Sequence, residues 1–193
     1  MMEQNHVEQN HGAWTIQETS HKYDNQYIYV REDQVIQPDG QSGMYATVEM
    51  KPGVAILPLD NNGIVYLIQQ FRYALGKESI EVVCGAIDED ESPVEAALRE
   101  LLEEQGIQAE EWIELGVVNV DTSIVHCPAH LFLAKQLTFT KTKREGTETI
   151  KTVKLPLNVA GQMVMDSAIT HSISCVLILK AINALQKKHE SND

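Results

Sequence analysis

Alternating apolar and polar positions in the first half of the chain predict a series of short β-strands. Side chains that favour strands, chiefly Val, Ile, Tyr and Phe, recur in segments bounded by Gly, Pro, Asn and Asp. The predicted strands lie at residues 27–31, 44–49, 54–59, 64–71 and 79–84. Asn61-Asn62-Gly63 predicts a hairpin turn between two of them, because Asn and Gly accept the positive φ angles of tight turns.

The hydrophobic period changes to that of an amphipathic helix after residue 91. Ser92 and Glu95 form a capping-box pattern, and Pro93 occupies a position favoured at the start of a helix. A stripe of apolar side chains follows at helical spacing and predicts the core-facing side: Val94, Ala97, Leu98 and Leu101. Gly106 predicts the end of this helix, since glycine adopts the left-handed conformation of a C-cap at little cost.

The second half of the chain contains segments of both periods. Strands are predicted at residues 112–120, 129–139 and 149–155, and helices at 159–166 and 172–188. This order predicts a mixed α/β or α+β domain in which helices pack on a sheet. The expected divisions are a main domain at 51–188, an N-terminal β extension at 14–50 and flexible ends at 1–13 and 189–193.

Hydropathy and cysteine content exclude several classes of protein. No apolar run in the 193 residues approaches the roughly 18 that a membrane-spanning helix needs. Residues 1–12 are polar, which favours a flexible terminus over a signal peptide. Three cysteines without a Cys-x-x-Cys pair, Cys84, Cys127 and Cys175, favour reduced thiols in a cytoplasmic protein.

The net charge of the chain is −13, from 28 acidic residues against 15 Lys and Arg. So acidic a chain is a poor general binder of nucleic acids, because phosphates are neutralised by Lys and Arg. More than half of this charge is local, since residues 85–107 hold eight acids and one base. A divalent cation bridging this segment to a phosphorylated small molecule would reverse the local repulsion.

The acidic residues of the predicted helix lie close together. Glu100, Glu103 and Glu104 follow an i, i+3, i+4 spacing and share one face, with Arg99 as the one nearby base. One interpretation is a solvated surface face, which charge runs usually form. The other is a site for a hard cation such as Mg²⁺, which prefers oxygen ligands.

A sequence motif distinguishes these two interpretations. Residues 85–107, GAIDEDESPVEAALRELLEEQGI, match every defined position of G-x5-E-x7-R-E-U-x-E-E-x-G-U, where U is a bulky aliphatic residue. This pattern is the Nudix box, so the chain resembles the Nudix hydrolase superfamily. Flanking segments at 70–73, 79–85, 130–134 and 148–157 are similar to its ADP-ribose pyrophosphatase branch.

The resemblance implies a fold, a reaction and a cofactor. The implied fold is a Nudix-type α/β/α sandwich with a mixed sheet. The implied reaction is hydrolysis of a nucleoside diphosphate sugar, ADP-ribose first, to a nucleoside monophosphate and a sugar phosphate. It uses Mg²⁺ or Mn²⁺ held by glutamates of the box. A homodimer is also implied, with the N-terminal strands as a candidate interface.

The resemblance also implies roles for individual residues. The implied metal ligands are Glu100, Glu103, Glu104 and the backbone carbonyl of Cys84. The implied catalytic residues are Glu103 and Glu148, with Glu145 as the alternative to Glu148. The implied substrate-binding residues are Arg72 and Glu81, of which the arginine suits a phosphate. The residues implied to shape the motif are Gly85, Gly106 and Arg99, the last through ion pairs with the glutamates.

Several alternatives stay open at this stage. Ser123 stands where ADP-ribose hydrolases usually carry a loop proline that helps to choose the substrate, which leaves GDP-mannose, other sugar nucleotides and FAD as candidates. A Nudix-fold module that binds a nucleotide without turnover is a further alternative. Trp14 and Tyr27 either stack on an adenine or belong to the core. The cluster of His126, Cys127 and His130 lacks a standard zinc spacing and is interpreted as loop and strand residues.

Overall fold

The computed structural model describes residues 9–140 and 150–190, with side chains to residue 187. Contacts divide the chain into two compact units. The first consists of the described residues up to Lys51 together with Asn119–Cys127. The second consists of Pro52–Val118 together with the described residues from Pro128 onward. No helix in the described part of the chain is long and apolar enough to cross a bilayer.

The first unit is a five-stranded sheet. Its first four strands form an antiparallel meander: β1 (Gln9–His11), β2 (Trp14–Asp24), β3 (Ile28–Ile36) and β4 (Ser42–Met50). The hydrophobic pattern did not single out β2, which consists largely of polar and half-buried residues.

The second unit contains two sheets. Its strands are β5 (Gly53–Pro58), β6 (Ile64–Arg72), β7 (Lys77–Glu81), β8 (Val83–Ala86) and β9 (Ile107–Asn119). The chain then contributes a two-residue strand, β10 (Val125–His126), to the first unit, where it pairs in parallel with β4. It continues in the second unit with β11 (Pro128–Phe139) and β12 (Lys151–Pro156). The strand orders there are β8-β5-β11-β9 and β12-β6-β7.

The predicted turn at residues 61–63 is present, but the hairpin it was expected to close is not. Gly63 has a φ of +77° and its N–H donates to the Asp60 carbonyl. The two flanking strands nevertheless lie in different sheets, joined by one isolated bridge between Leu59 and Val65. β5 instead pairs in parallel with β11 and antiparallel with β8, because it is apolar on both faces and is buried at the centre of its sheet.

Helices pack on both faces of β5. Val54 and Ile56 point into a core with helix α1 (Pro93–Gln105). Ala55 and Leu57 point into a second core with α2 (Leu157–Met165) and α3 (Ser172–Glu190). Alternate side chains of a strand face opposite sides of the sheet, so this arrangement is an α/β/α sandwich with a mixed sheet. The predicted fold class is confirmed.

Helix α1 begins and ends as predicted. The Ser92 hydroxyl accepts the Glu95 N–H, the Glu95 carboxylate accepts the Ser92 N–H, and Pro93 is the first helical residue. Gly106 ends the helix with a left-handed φ of +63°.

The core face of α1 differs from the predicted stripe. Val94 and Leu98 are 39% and 42% exposed, whereas Ala96 is fully buried. The buried residues of the helix are Ala96, Ala97, Leu101, Glu104 and Gln105. The small side chain of Ala96 lets the helix approach β5 and β8 closely on this side. The packed face of the helix also includes one carboxylate, that of Glu104.

Candidate functional site

The carboxylates of α1 differ strongly in exposure. The Glu104 residue is 7% exposed, and the Glu100 side chain 15%. The Glu103 side chain is 45% exposed. The exposure of the three acids therefore increases from the packed face of the helix to the solvent side. On a purely solvated face, all three would be exposed.

Gly85 lies directly against the side chain of Glu100. A Cβ placed on Gly85 would lie 1.9 Å from Cδ and 2.1 Å from Oε1 of Glu100. Residue 85 lies in strand β8, so the carboxylate rests against the strand backbone. Only glycine permits this approach, which gives a physical reason for glycine at the start of the motif.

Arg99 connects the acidic loop to the helix. Its Nε and Nη2 donate to the two carboxylate oxygens of Glu91, each at 2.9 Å. Nη1 donates to Glu100 at 2.7 Å and to Glu103 at 3.4 Å, and Nη2 donates to the Ala86 carbonyl at 2.9 Å. The hydrogen bonds from Arg99 lower the pKa of Glu91, and those to Glu91 raise the pKa of Arg99. The guanidinium thus stabilises the ionised form of Glu91.

The donor set fits a divalent cation by its chemistry. Glu100, Glu103 and Glu104 offer carboxylate oxygens, the ligands that Mg²⁺ prefers, and the cradle at Gly85 brings one of them against backbone. Among the described side chains, no three His, Cys, Asp or Glu residues converge as a metal-binding group. Arg99 holds two of the three acids toward itself, so binding a cation requires these side chains to turn.

Cys84, whose carbonyl is an implied metal ligand, lies next to the cradle in β8. Burial raises the pKa of its thiol, and the charges of Glu81, Glu104 and Glu100 raise it further. The thiol is therefore protonated and is not a nucleophile. Cys84, Cys127 and Cys175 form no disulfide.

Arg72 and Glu81 form a close ion pair beside this cluster. Nε of Arg72 donates to both oxygens of Glu81 at 3.0 and 3.2 Å, and Nη2 donates to Oε2 at 2.5 Å. The Glu81 side chain is 2% exposed, whereas that of Arg72 is 38% exposed. The hydrogen bond to Glu81 raises the pKa of Arg72, burial opposes this, and the charges of Glu81 and Glu104 raise it further. This contribution places the pair and the α1 acids in one electrostatic environment.

Sequence reasoning missed a third member of this ion pair, His171. Its Nδ1 lies 3.5 Å from Oε2 of Glu81 and 2.8 Å from the Ser174 hydroxyl. A single histidine far along the chain gives no local signal of such a contact. Burial alone would raise the pKa of Glu81, but the hydrogen bonds from Arg72 and Ser79 and the charges of His171 and Arg72 hold it below its ordinary value.

Replacing Glu81 by Gln is expected to weaken the fold in a pH-dependent way. The pKa of Glu81 is lower in the folded state than its ordinary 4.5, so its stabilisation is complete above that pH. It is lost as the pH falls through the folded pKa. We expect Glu81→Gln to cost about 2 kcal/mol at pH 7, with the gap to wild type narrowing as the pH falls below 4.5. Urea unfolding at several pH values measures this gap, and a pH-independent difference would contradict the assignment.

The remaining residues predicted from the sequence lie in the first unit or outside the described part of the chain. Glu148 and Glu145 lie outside the described residues. Trp14 lines a cavity of about 770 Å³ within the first unit, with its ring edge-to-face with Tyr45 at 5.6 Å. Tyr27 is 68% exposed and is not a core residue. Ser123 accepts a hydrogen bond from the Tyr45 hydroxyl through its carbonyl, also in the first unit.

The chain is similar to several known proteins. The NUDIX domain model matches residues 49–160. An ADP-ribose pyrophosphatase of Bacillus subtilis (strain 168) is 26% identical over 164 residues, covering 81% of this chain and 88% of that protein. A methanol dehydrogenase activator of Bacillus methanolicus is 26% identical over 178 residues, covering 88% and 94%. A crystal structure of an ADP compounds hydrolase superposes with a TM-score of 0.80 at 19% identity, over 93% of this chain and 98% of that one, which supports the fold.

Proposed function

This chain belongs to the NUDIX domain family and is a pyrophosphohydrolase, and on that premise we propose that it hydrolyses ADP-ribose with the help of Mg²⁺ or Mn²⁺. The products are AMP and ribose 5-phosphate. The observation that carries the proposal is the set of three α1 carboxylates with graded exposure, of which Glu100 rests against Gly85 and Glu100 and Glu103 are both bound by Arg99. The match to an ADP-ribose pyrophosphatase along 81% of the chain favours this substrate.

The three glutamates of α1 have different roles in metal binding and proton transfer. Glu100 and Glu104, the two less exposed acids, hold the cation together with the carbonyl of Cys84. A divalent cation held there would neutralise the charge of the diphosphate and make water more acidic for the attack. Glu103 is the most exposed of the three and reaches solvent, so it is suited to complete the ligand set and accept a proton. Glu148 or Glu145 supplies the second catalytic carboxylate.

Arginines provide the positive charge that orients the other groups. Arg72 is held by Glu81 yet is 38% exposed, so it can hold a phosphate of the substrate in a fixed position. Arg99 holds Glu100 and Glu103 toward its guanidinium through hydrogen bonds. In the reaction, the oxygen of water bonds to one phosphorus and the bridging oxygen leaves with the other phosphate. The proton lost by the water passes to a carboxylate.

A substrate panel tests the proposal directly. Purified protein is assayed on ADP-ribose, GDP-mannose and FAD with Mg²⁺, with Mn²⁺ and with EDTA. We expect the highest kcat/KM on ADP-ribose and loss of turnover in EDTA. A higher kcat/KM on another of these compounds would change the substrate, and absence of EDTA-sensitive turnover on every diphosphate would overturn the proposal.

A second candidate function is a regulatory module that binds a nucleotide without turnover. The similarity to a methanol dehydrogenase activator is the observation that favours it. Against it stands the complete set of box glutamates at 91, 100, 103 and 104. Calorimetry that detects nucleotide binding in a sample that forms no product would support the module.

The proposal also covers the oligomeric state of the protein and its location in the cell. Exposed aromatic and methionine side chains on the first unit, including Tyr27 and Met44, at 68% and 62% exposed, support a homodimer through that unit. Three free cysteines, all partly buried, support the cytoplasm.

A further inference from the structure

His171 lies at the start of the last helix and has no part in the mechanism above. Its carbonyl accepts the Cys175 N–H at 3.0 Å, so His171 is the N-cap of α3. Its side chain is 27% exposed and points toward Glu81. A helix cap alone would not need an imidazole, since Asn, Asp, Ser and Thr are the preferred N-caps.

The imidazole is fixed through a fully buried serine. Ser174 Oγ lies 2.8 Å from Nδ1 of His171 and accepts the backbone N–H of Val82 at 3.0 Å. Val82 directly follows Glu81 in the chain. Ser174 therefore holds the ring and the backbone beside the carboxylate at once, which fixes the distance between α3 and this part of the sheet.

The Glu81 carboxylate is enclosed from two sides. Arg72 donates to both of its oxygens, and Nδ1 of His171 lies 3.5 Å from Oε2. Because the carboxylate is 2% exposed, little water is available to it and its orientation depends on these neighbours. A proton on Nδ1 is the tautomer that the carboxylate favours, since a nitrogen lone pair there would repel Oε2.

Burial lowers the pKa of His171, while the Glu81 charge acts in the opposite direction. The ring is thus mainly neutral near pH 7, and its Nδ1 lies 2.8 Å from the Ser174 hydroxyl and 3.5 Å from the carboxylate. A neutral ring at a helix N-terminus also avoids an unfavourable interaction with the helix dipole.

We propose that His171 is a positioning residue for substrate binding: it holds Glu81 in the orientation that presents the Arg72 guanidinium to the substrate diphosphate. The inference rests on the proposed function, in which Arg72 contacts that diphosphate. It makes the N-terminus of α3 part of the binding site. Its effect is on binding rather than on the chemical step, because Arg72 contacts the phosphate before and during the reaction.

His171→Asn tests this role, since asparagine caps a helix well but cannot place a ring nitrogen against Glu81. The matched control is His130→Asn, because His130 has a side chain 26% exposed and Nδ1 3.9 Å from Glu114. We expect His171→Asn to raise KM for ADP-ribose about tenfold with kcat within about twofold, and His130→Asn to leave both unchanged. Equal KM values in the two variants would overturn the inference.

The Glu81→Gln background separates positioning from a structural effect. If His171 acts through Glu81, adding His171→Asn to Glu81→Gln changes KM less than about twofold further. A full additional tenfold loss would show that His171 acts independently of Glu81 and would contradict the inference.

A binding readout keeps the inference apart from the proposed function. The affinity for inorganic pyrophosphate with Mg²⁺ is measured by calorimetry for wild type, His171→Asn and His130→Asn. Absence of ADP-ribose turnover by wild type would refute the proposed substrate, whereas a pyrophosphate Kd unchanged by His171→Asn would refute the positioning role. We expect this Kd to rise about tenfold in His171→Asn alone.

Discussion

Replacement of Glu104 by Gln is expected to lower kcat on ADP-ribose by about a thousandfold, or about 4 kcal/mol of transition-state stabilisation. Glutamine preserves the shape of the side chain but removes the negative charge that a divalent cation needs. Because Glu104 is 7% exposed, the neutral amide is also easier to bury than the carboxylate. We therefore expect the melting temperature to hold or to rise while activity is lost.

Kinetic assays with a Mg²⁺ titration, together with thermal melts, measure both effects. Glu89→Gln is the matched control, since Glu89 is an exposed acid in the loop before the helix. Wild-type activity in Glu104→Gln would contradict the assignment of this residue as a metal ligand. A similar loss in the control would show that the effect comes from the charge of the whole segment.

The substitution Gly85→Ala is expected to reduce kcat/KM about a hundredfold by displacing a neighbouring side chain. The new Cβ would lie 1.9 Å from Cδ of Glu100, so that carboxylate must leave its place against β8. The far end of a glutamate moves readily, so we expect a loss of Mn²⁺ affinity with a small loss of stability.

Gly161→Ala provides the comparison. A Cβ there would lie 2.6 Å from Cδ1 of Ile182 in the core between α2 and α3. This variant should lose stability while keeping its affinity for Mn²⁺, the opposite pattern. Calorimetric Mn²⁺ titration and urea unfolding of both variants distinguish the patterns, and wild-type Mn²⁺ affinity in Gly85→Ala would contradict the cradle.

Local rules predicted the central helix and the chemistry it carries. The capping box at Ser92 and Glu95 and the left-handed Gly106 depend on neighbours within a few positions, so the sequence alone contains what is needed. The predicted core face of α1 was wrong at Val94 and Leu98, which are hydrophobic but exposed. Ala96 is buried in their place, because its small side chain allows close packing against the strands. The size of the side chains, rather than their hydrophobicity, determined which face of α1 is buried.

Long-range pairings account for most of what sequence reasoning missed. The turn at residues 61–63 was predicted from three residues, but the partner of β5 is β11, more than seventy positions away. The bond between Val82 and Ser174 spans 92 positions. Such contacts depend on the topology of the sheets, and a single chain without aligned relatives carries no periodic signal of them.

The parallel strand β10 has a consequence for how the first unit is made. Val125 and His126 pair with Val48 and Glu49, so the sheet receives its last strand from a segment lying far beyond the other four. Because synthesis runs from the N-terminus, the meander at residues 9–50 is made before residues 125–126, and the outer edge of β4 stays open until that later segment has left the ribosome. A chain shortened to begin at residue 52 would in turn carry Asn119–Cys127 without the strand it pairs with. The five-stranded sheet of the first unit is therefore complete only when the segment that follows β9 has been made.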